Sequence, residues 1–158
     1  MARKFEAKLE ELLRNNVLWT TIVAWALAQL IKPPLEYFHS RRWSWGLWFS
    51  SGGMPSSHSS LVCGAMLAVG LFHGFDTPVF ALAVAITMVV VYDAAGVRRE
   101  AGRHAERINI LIEELFSGQP ISEKQLKEVI GHTPVEVVAG VLLGFATALV
   151  SFLIFGRS

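Results

Sequence analysis

Four long apolar segments divide this sequence and constrain its fold more than any other feature. They comprise residues 17–31, 57–75, 78–92 and 134–155. A helix needs about 20 apolar residues to cross the core of a bilayer, and these segments approach or reach that length. Charged residues make up only 17% of the chain, against about 25% in soluble proteins. The pattern predicts an all-α integral membrane protein with about four transmembrane helices, in which residues 1–158 form a single membrane domain.

Polar and charged segments flank the four spans. Residues 2–14 alternate charged residues with Phe5 and three leucines, a pattern typical of an amphipathic helix on the membrane surface. Lys32-Pro33-Pro34 follows the first apolar segment and is predicted to stop its helix. The polar segment 93–133 holds most of the remaining charge. It is predicted to contain helix between the third and fourth spans.

Charge, cysteine content and small residues restrict the partners. The formal net charge of +1 argues against a nucleic-acid partner. Cys63 is the only cysteine, so no internal disulfide forms, and its apolar neighbours indicate an inert packing role. Gly140 and Gly144 form a small-xxx-small pair of the kind that packs transmembrane helices closely. We expect this pair to support a homodimer, although it can also serve packing within one chain.

Residues 51–60, Ser-Gly-Gly-Met-Pro-Ser-Ser-His-Ser-Ser, form the most turn-prone stretch in the first half of the chain; we call it the serine motif. Pro55 suits the first turn of a helix. Ser56 and Ser57 are predicted to cap that helix, whose N-terminal N–H groups then form an anion site. His58 follows inside the helix, where it can exchange a proton with a bound group. The alternative is a capped membrane helix with an incidental histidine.

Counting the crossings predicts that the polar clusters converge. The first span ends at Lys32, the second begins at His58 and the third ends at Asp93. Because each crossing reverses direction, these residues, the loop at 41–42 and the segment 93–132 face one side, and both chain ends face the other. Of the 14 Lys and Arg residues, nine lie on the side of this predicted site and five on the opposite side. The positive-inside rule therefore predicts a cytoplasmic site.

A helix that continued past Asp93 would sort the next charged residues by face. At about 100° per residue, Arg98 and His104 share an otherwise apolar arc with Asp93. Arg99 and Arg107 fall on the opposite side, where acids and water satisfy them. Burying Arg98 without a partner is costly, so an anionic ligand or Asp93 is expected to pair with it. The apolar members of the arc include Ile108, Leu111 and Leu115.

Three strings in the sequence resemble those of a known family. They are residues 52–59, residues 93–99 with Gly102 and Asn109, and residues 131–134. The chain resembles the divergent branch of the type 2 phosphatidic acid phosphatase superfamily, which is related to the vanadium-dependent haloperoxidases. The resemblance covers nearly the whole chain.

The first two motifs of that superfamily are matched in part. Residues 55–58 correspond to its Pro-Ser-Gly-His motif, with Ser57 in place of the glycine. The first motif is a Lys followed seven residues later by Arg-Pro. Lys32 is the candidate for its Lys, but Arg41 and Arg42 lie too far along the chain and no proline follows them.

The third motif is Ser-Arg, five residues, His, three residues, Asp. Arg98 and His104 have its spacing, while Val97 replaces its serine and Ile108 stands in place of its aspartate. In the superfamily that aspartate orients the nucleophilic histidine. Asp93 lies on the same predicted helical face and is the candidate to replace it.

The resemblance implies that the protein hydrolyses a lipid phosphomonoester at the membrane interface. His104 would attack phosphorus and form a phosphohistidine, and His58 would protonate the leaving alkoxide. The expected substrate-binding residues are Lys32, Ser56, Ser57, Arg98, Arg99 and Arg42. No metal or other cofactor is expected, because fixed cations supply the charge. The expected partners are a membrane lipid phosphate and the bilayer, and the expected location is the inner membrane of a bacterium.

Two other functions stay open. A lipid-phosphate binding or transport protein would use the same phosphate cradle without cleavage, and Ile108 in place of the motif aspartate favours it. The other alternative is a structural membrane protein without a functional site. The location of the polar clusters on one side of the membrane counts against it. Phosphatidic acid, phosphatidylglycerophosphate and a prenyl phosphate fit the predicted site equally.

Overall fold

The computed structural model describes residues 1–41, 43, 46, 48, 52–96, 100, 104, 107–112, 115 and 133–156. Within these ranges the chain forms five long helices and no strand. The helices are α1 (Ala2–Leu13), α2 (Asn16–Ser40), α3 (Ser57–His73), α4 (Pro78–Ala95) and α5 (Pro134–Phe155). Residues 107–112 are also helical. The predicted all-α class is therefore confirmed for the described part of the chain.

Two of these helices meet the length and hydropathy expected of membrane spans. They are α4 and α5, with mean hydropathies of 2.0 and 2.5 and buried shares of only 11% and 22%. Apolar side chains on both helices therefore face outward, as those of lipid-facing helices do and those of a soluble core do not. The helix α3 is apolar but has 17 residues, and four crossings stay a prediction.

The helix α2 is longer than the predicted first span, and the prediction that Lys32-Pro33-Pro34 stops it is wrong. The helix has 25 residues and contains both prolines. The prolines lack the N–H groups that would bond to the carbonyls of Gln29 and Leu30, but their fixed φ is compatible with a helix. Pro33 is fully buried, and neighbouring helices can cover such a break.

Side-chain caps set where α2 and α4 begin. Asn15 caps α2 by accepting a hydrogen bond from the N–H of Leu18 at 3.0 Å, and Thr77 caps α4 by accepting one from Phe80 at 3.3 Å. Trp19 Nε1 donates to the carbonyl of Leu13 at 3.0 Å, which ties the end of α1 to the start of α2.

The helix α3 occupies the centre of the bundle and packs against α2, α4 and α5. Small residues allow the closest approach. A Cβ added to Gly144 would stand 2.5 Å from the carbonyl oxygen of Ser60 and 2.8 Å from the nitrogen of Gly64, and one added to Gly140 would meet the carbonyl oxygen of Ser56. The pair Gly140 and Gly144 therefore serves packing within one chain, the alternative that the sequence left open, and the homodimer stays a prediction.

Hydroxyl groups also join the helices. Ser60 Oγ on α3 donates to the carbonyl of Ala24 on α2 at 2.9 Å, and Thr87 Oγ1 on α4 donates to that of Val62 on α3 at 3.1 Å. Such bonds between helices replace the hydrogen bonds to water that a bilayer cannot provide.

Candidate functional site

The serine motif enters α3 through a turn whose shape its sequence requires. Gly53 has φ 85°, in the left-handed region that favours glycine, and a cis peptide bond joins Met54 to Pro55. The helix begins at Ser57 with Ser56 as its N-cap. Pro55 therefore precedes the cap, and its predicted position in the first turn is wrong.

Ser56 is committed to building the start of the helix. Its Oγ accepts hydrogen bonds from the N–H of Ser59 at 3.4 Å and from Ser59 Oγ at 3.1 Å, and Ser56 is fully buried. Its own N–H donates to the carbonyl of Glu136 at 2.9 Å. The start of α5 thus fixes the start of α3.

Lys32 and Ser57, both predicted site residues, are in contact. Lys32 Nζ donates to Ser57 Oγ at 3.3 Å, and the two residues are 1% and 2% exposed. Lys32 follows the predicted first span, which ends at Ile31, and lies within α2. Burial lowers the pKa of the Lys32 ammonium group, and the negative charge of Glu136 opposes this by raising it.

Glu136 is a component of this site that the sequence analysis missed. It occupies the third position of α5 in a capping box with Thr133. The N–H of Thr133 donates to Glu136 Oε2 at 3.2 Å, and the N–H of Glu136 donates to Thr133 Oγ1 at 3.4 Å. The pattern Thr-x-x-Glu before an apolar segment is the signal that could have located this helix start, although it does not say which residues lie opposite.

A cavity of about 340 Å³ opens beside Lys32. Its walls come from the second half of α2, the turn before α3 and the start of α5. The lining residues are Lys32, Leu35, Glu36, Gly53, Met54, Thr133 and Glu136. The predicted convergence is thus observed for Lys32 and the serine motif, which lie at one end of the bundle. The start of α5 joins them there, although it was not among the predicted clusters. The cavity combines a buried cation, two carboxyl groups and two apolar side chains.

His58 and Asp93 are half-buried. Neither is among the described residues that line the cavity. His58 lies in the first turn of α3, next to the Lys32 contact, and Asp93 lies near the end of α4. Their catalytic roles stay predictions.

The helical phase predicted from Asp93 is wrong for the segment that carries His104. The helix α4 ends at Ala95 with Gly96 as its C-cap, so the segment after it does not continue the same helix. His104 is exposed, and Ile108, Leu111 and Leu115, which were expected to face inward, are 43%, 55% and 77% exposed. Asn109, in contrast, is 6% exposed. Arg42, Arg98 and Arg99 lie outside the described residues.

Comparisons with known proteins identify the family of the chain. A family model described as "Divergent PAP2 family" matches residues 13–147, a range that contains Lys32, the serine motif and Glu136. The uncharacterised membrane protein YuiD of Bacillus subtilis (strain 168) is 38% identical over 151 residues, which cover 89% of this chain and 96% of that protein. No solved structure matches the chain.

Proposed function

Because the chain belongs to the divergent PAP2 family of membrane proteins, we propose that it hydrolyses a lipid phosphomonoester at the membrane interface. The observation that carries this proposal is the contact between Lys32 Nζ and Ser57 Oγ at the cavity. It joins a buried cation to the helix start of a motif that resembles Pro-Ser-Gly-His. A buried cation and a helix N-terminus together stabilise the oxygens of a phosphoryl group.

In the proposed reaction, two histidines have different roles. His104 attacks phosphorus to form a phosphohistidine while the bond to the lipid alkoxide breaks, and His58 gives the alkoxide a proton. Water then attacks the phosphohistidine and releases inorganic phosphate. Asp93 is proposed to orient His104, and Arg42, Arg98 and Arg99 are proposed to add positive charge around the phosphoryl oxygens.

A second function is favoured by two observations. Ile108 occupies the position of the motif aspartate, and His104 is exposed. Both fit a protein that binds or moves a lipid phosphate without cleaving it, using Lys32 and Ser57 as the cradle. For either function we propose the inner membrane of a bacterium, with the cavity on the cytoplasmic side.

The test is phosphate release by the purified protein in lipid nanodiscs. The substrates are phosphatidic acid, phosphatidylglycerophosphate and a prenyl phosphate. We expect release from at least one, with a loss of about 100-fold or more in His58→Ala and in His104→Ala. Lys32→Met, which keeps the apolar length of the side chain but not its charge, should lose roughly ten- to a hundredfold, as expected for a charge-assisted contact.

The control variant is His73→Ala, which changes an exposed histidine at the opposite end of α3. It should keep the activity of the unaltered protein. If the protein bound a lipid phosphate without releasing inorganic phosphate, and Lys32→Met weakened that binding, hydrolysis would be rejected in favour of the second function. Equal activity in all four variants would reject the site.

A further inference from the structure

We propose that the cavity selects a lipid headgroup that carries an ammonium group beside its phosphate. This inference rests on the proposed function, because it takes Lys32 and Ser57 to hold the phosphate, but the phosphate it places there is the diester of a lipid that is bound and not hydrolysed. It adds the chemical class of ligand, which neither the family nor the relative specifies. The charges that line the cavity carry the argument.

The described lining residues hold one cation and two carboxyl groups. Lys32 supplies the cation, while Glu36 and Glu136 supply the carboxyl groups. Glu136 already acts on Lys32 electrostatically, so part of the attraction of Lys32 for an anion is offset within the protein. A phosphate without a counter-charge would bring further negative charge against Glu36, and like charges at close range are repulsive. A ligand with its own cation removes this repulsion.

The positions of the charges match the order of groups in such a ligand. Glu36 follows Lys32 by four residues on α2, so it lies one turn, or about 6 Å, further along the same face of the helix. Lys32 is buried, whereas Glu36, which also lines the cavity, is exposed. A ligand whose phosphate lies on Lys32 and Ser57 would turn its ammonium group toward Glu36, the exposed carboxyl group of the lining.

The apolar part of the lining indicates a lipid. Leu35 and Met54 line the cavity and are 39% and 42% exposed. They offer contact surface to the glycerol and acyl carbons of a lipid, which a soluble aminoalkyl phosphate lacks. The ligand class is therefore an aminoalkyl phosphate attached to a membrane lipid.

The experiment compares two lipids that share chains and phosphate and differ at the amino group. Dioleoylphosphatidylethanolamine and its N-acetyl derivative share chains and phosphate, and acetylation removes the positive charge. Binding of each to the purified full chain is measured by lipid titration with native mass spectrometry. We expect the amine lipid to bind roughly tenfold or more tightly, as for loss of a charge-assisted contact.

Glu36→Gln is the diagnostic variant, because it keeps the shape of the side chain and removes its charge. It should weaken binding of the amine lipid by roughly tenfold and leave binding of the N-acetyl lipid unchanged or improved. The matched control is Glu11→Gln, an exposed carboxyl group on α1, which should change neither. Equal binding of the two lipids by the unaltered protein, or equal loss of both in Glu36→Gln, would overturn the proposal.

Two further measurements separate this inference from the proposed function and assign the source of the ligand. Phosphate release from phosphomonoesters is assayed on the same preparations. Release without amine selectivity rejects this inference and keeps the function, whereas amine selectivity without release keeps the inference and rejects hydrolysis. Free O-phosphoethanolamine should not displace the amine lipid, and displacement would overturn the assignment to a lipid.

Discussion

At the scale of single residues, Lys32 is the side chain that the rest of the site accommodates. A charged group that is 1% exposed is costly unless other groups compensate for its lost hydration. Ser57 and Glu136 do so from two other helices, one by a hydrogen bond and one by its charge. Ionisable residues buried among the helices of membrane proteins usually serve a function.

Glu136 has two separable effects, and substitution distinguishes them. Glutamine also fits the third position of a capping box, so Glu136→Gln should keep the thermal stability of the protein. Glu136→Ala loses the cap and should lower the free energy of unfolding by about 0.5–2 kcal/mol. Both variants remove the charge that raises the pKa of Lys32.

The pH dependence of anion binding reports the effect of the Glu136 charge on the pKa of Lys32. Lys32 holds an anion only while protonated, which is the case below its pKa. Without Glu136 that pKa falls, so binding of orthovanadate, a mimic of pentacoordinate phosphorus, should be lost at a lower pH than in the unaltered protein. Calorimetric titration across pH measures it, with Glu11→Gln as the control. If Glu136→Gln lost orthovanadate binding at the same pH as the unaltered protein, Glu136 would not raise the pKa of Lys32.

At the scale of helices, the contact between α3 and α5 positions the site. Gly140 and Gly144 let the two backbones approach closely, and the N–H of Ser56 donates to the carbonyl of Glu136 at the end of that contact. Because the cavity takes its walls from the turn before α3 and from the start of α5, a change in the spacing of these two helices alters the cavity from a distance.

Gly144→Ala tests this coupling. The added methyl group would stand 2.5 Å from the carbonyl oxygen of Ser60, so the helices must separate, at a cost of about 1–3 kcal/mol. Thermal unfolding in detergent should show the loss, and orthovanadate affinity should fall with it although Gly144 does not line the cavity. Ala146→Val enlarges an exposed side chain of the same helix and should change stability by less than about 0.5 kcal/mol. Similar effects of the two substitutions would argue against close packing at Gly144.

At the scale of the whole molecule, the arrangement of crossings decides which surfaces share an aqueous compartment. The protein gathers Lys32, the serine motif and the start of α5 at one end of the bundle, while Thr20 on α2 and Ser151 on α5 are hydrogen-bonded toward the other end at 2.6 Å. Four crossings would put α1 on the side opposite the cavity.

Cysteine labelling in intact vesicles tests this topology. Cys63 is buried, so it is first replaced by Ala, and single cysteines are introduced as Glu6→Cys and Glu100→Cys, both at exposed positions. A membrane-impermeant thiol reagent should label one of them from outside and the other only after the membrane is opened. Labelling of both from the same side would contradict four crossings.

The sequence by itself determined where most helices lie and of what kind they are. Apolar length, the caps at Ser56, Thr77 and Thr133, and the glycines between segments are local properties, so the predicted fourth segment 134–155 has the bounds of α5. Lys32 and Ser57 were also identified as candidates from local features, namely the end of an apolar segment and the start of a helix. The family resemblance, which rests on short strings of residues, was confirmed by the family match.

Only the tertiary structure decided which of these helix faces meet. The contact of Glu136 with the motif joins residues 80 positions apart, and no local pattern contains that information. The same holds for the burial that lets α2 continue through Pro33 and for the use of Gly140 and Gly144 within one chain. The direction of the His104 side chain depended on whether α4 continued past Gly96, and because α4 ends at Ala95, the helical phase counted from Asp93 does not extend to His104. Local sequence fixes a helix, whereas packing between distant segments fixes its neighbours.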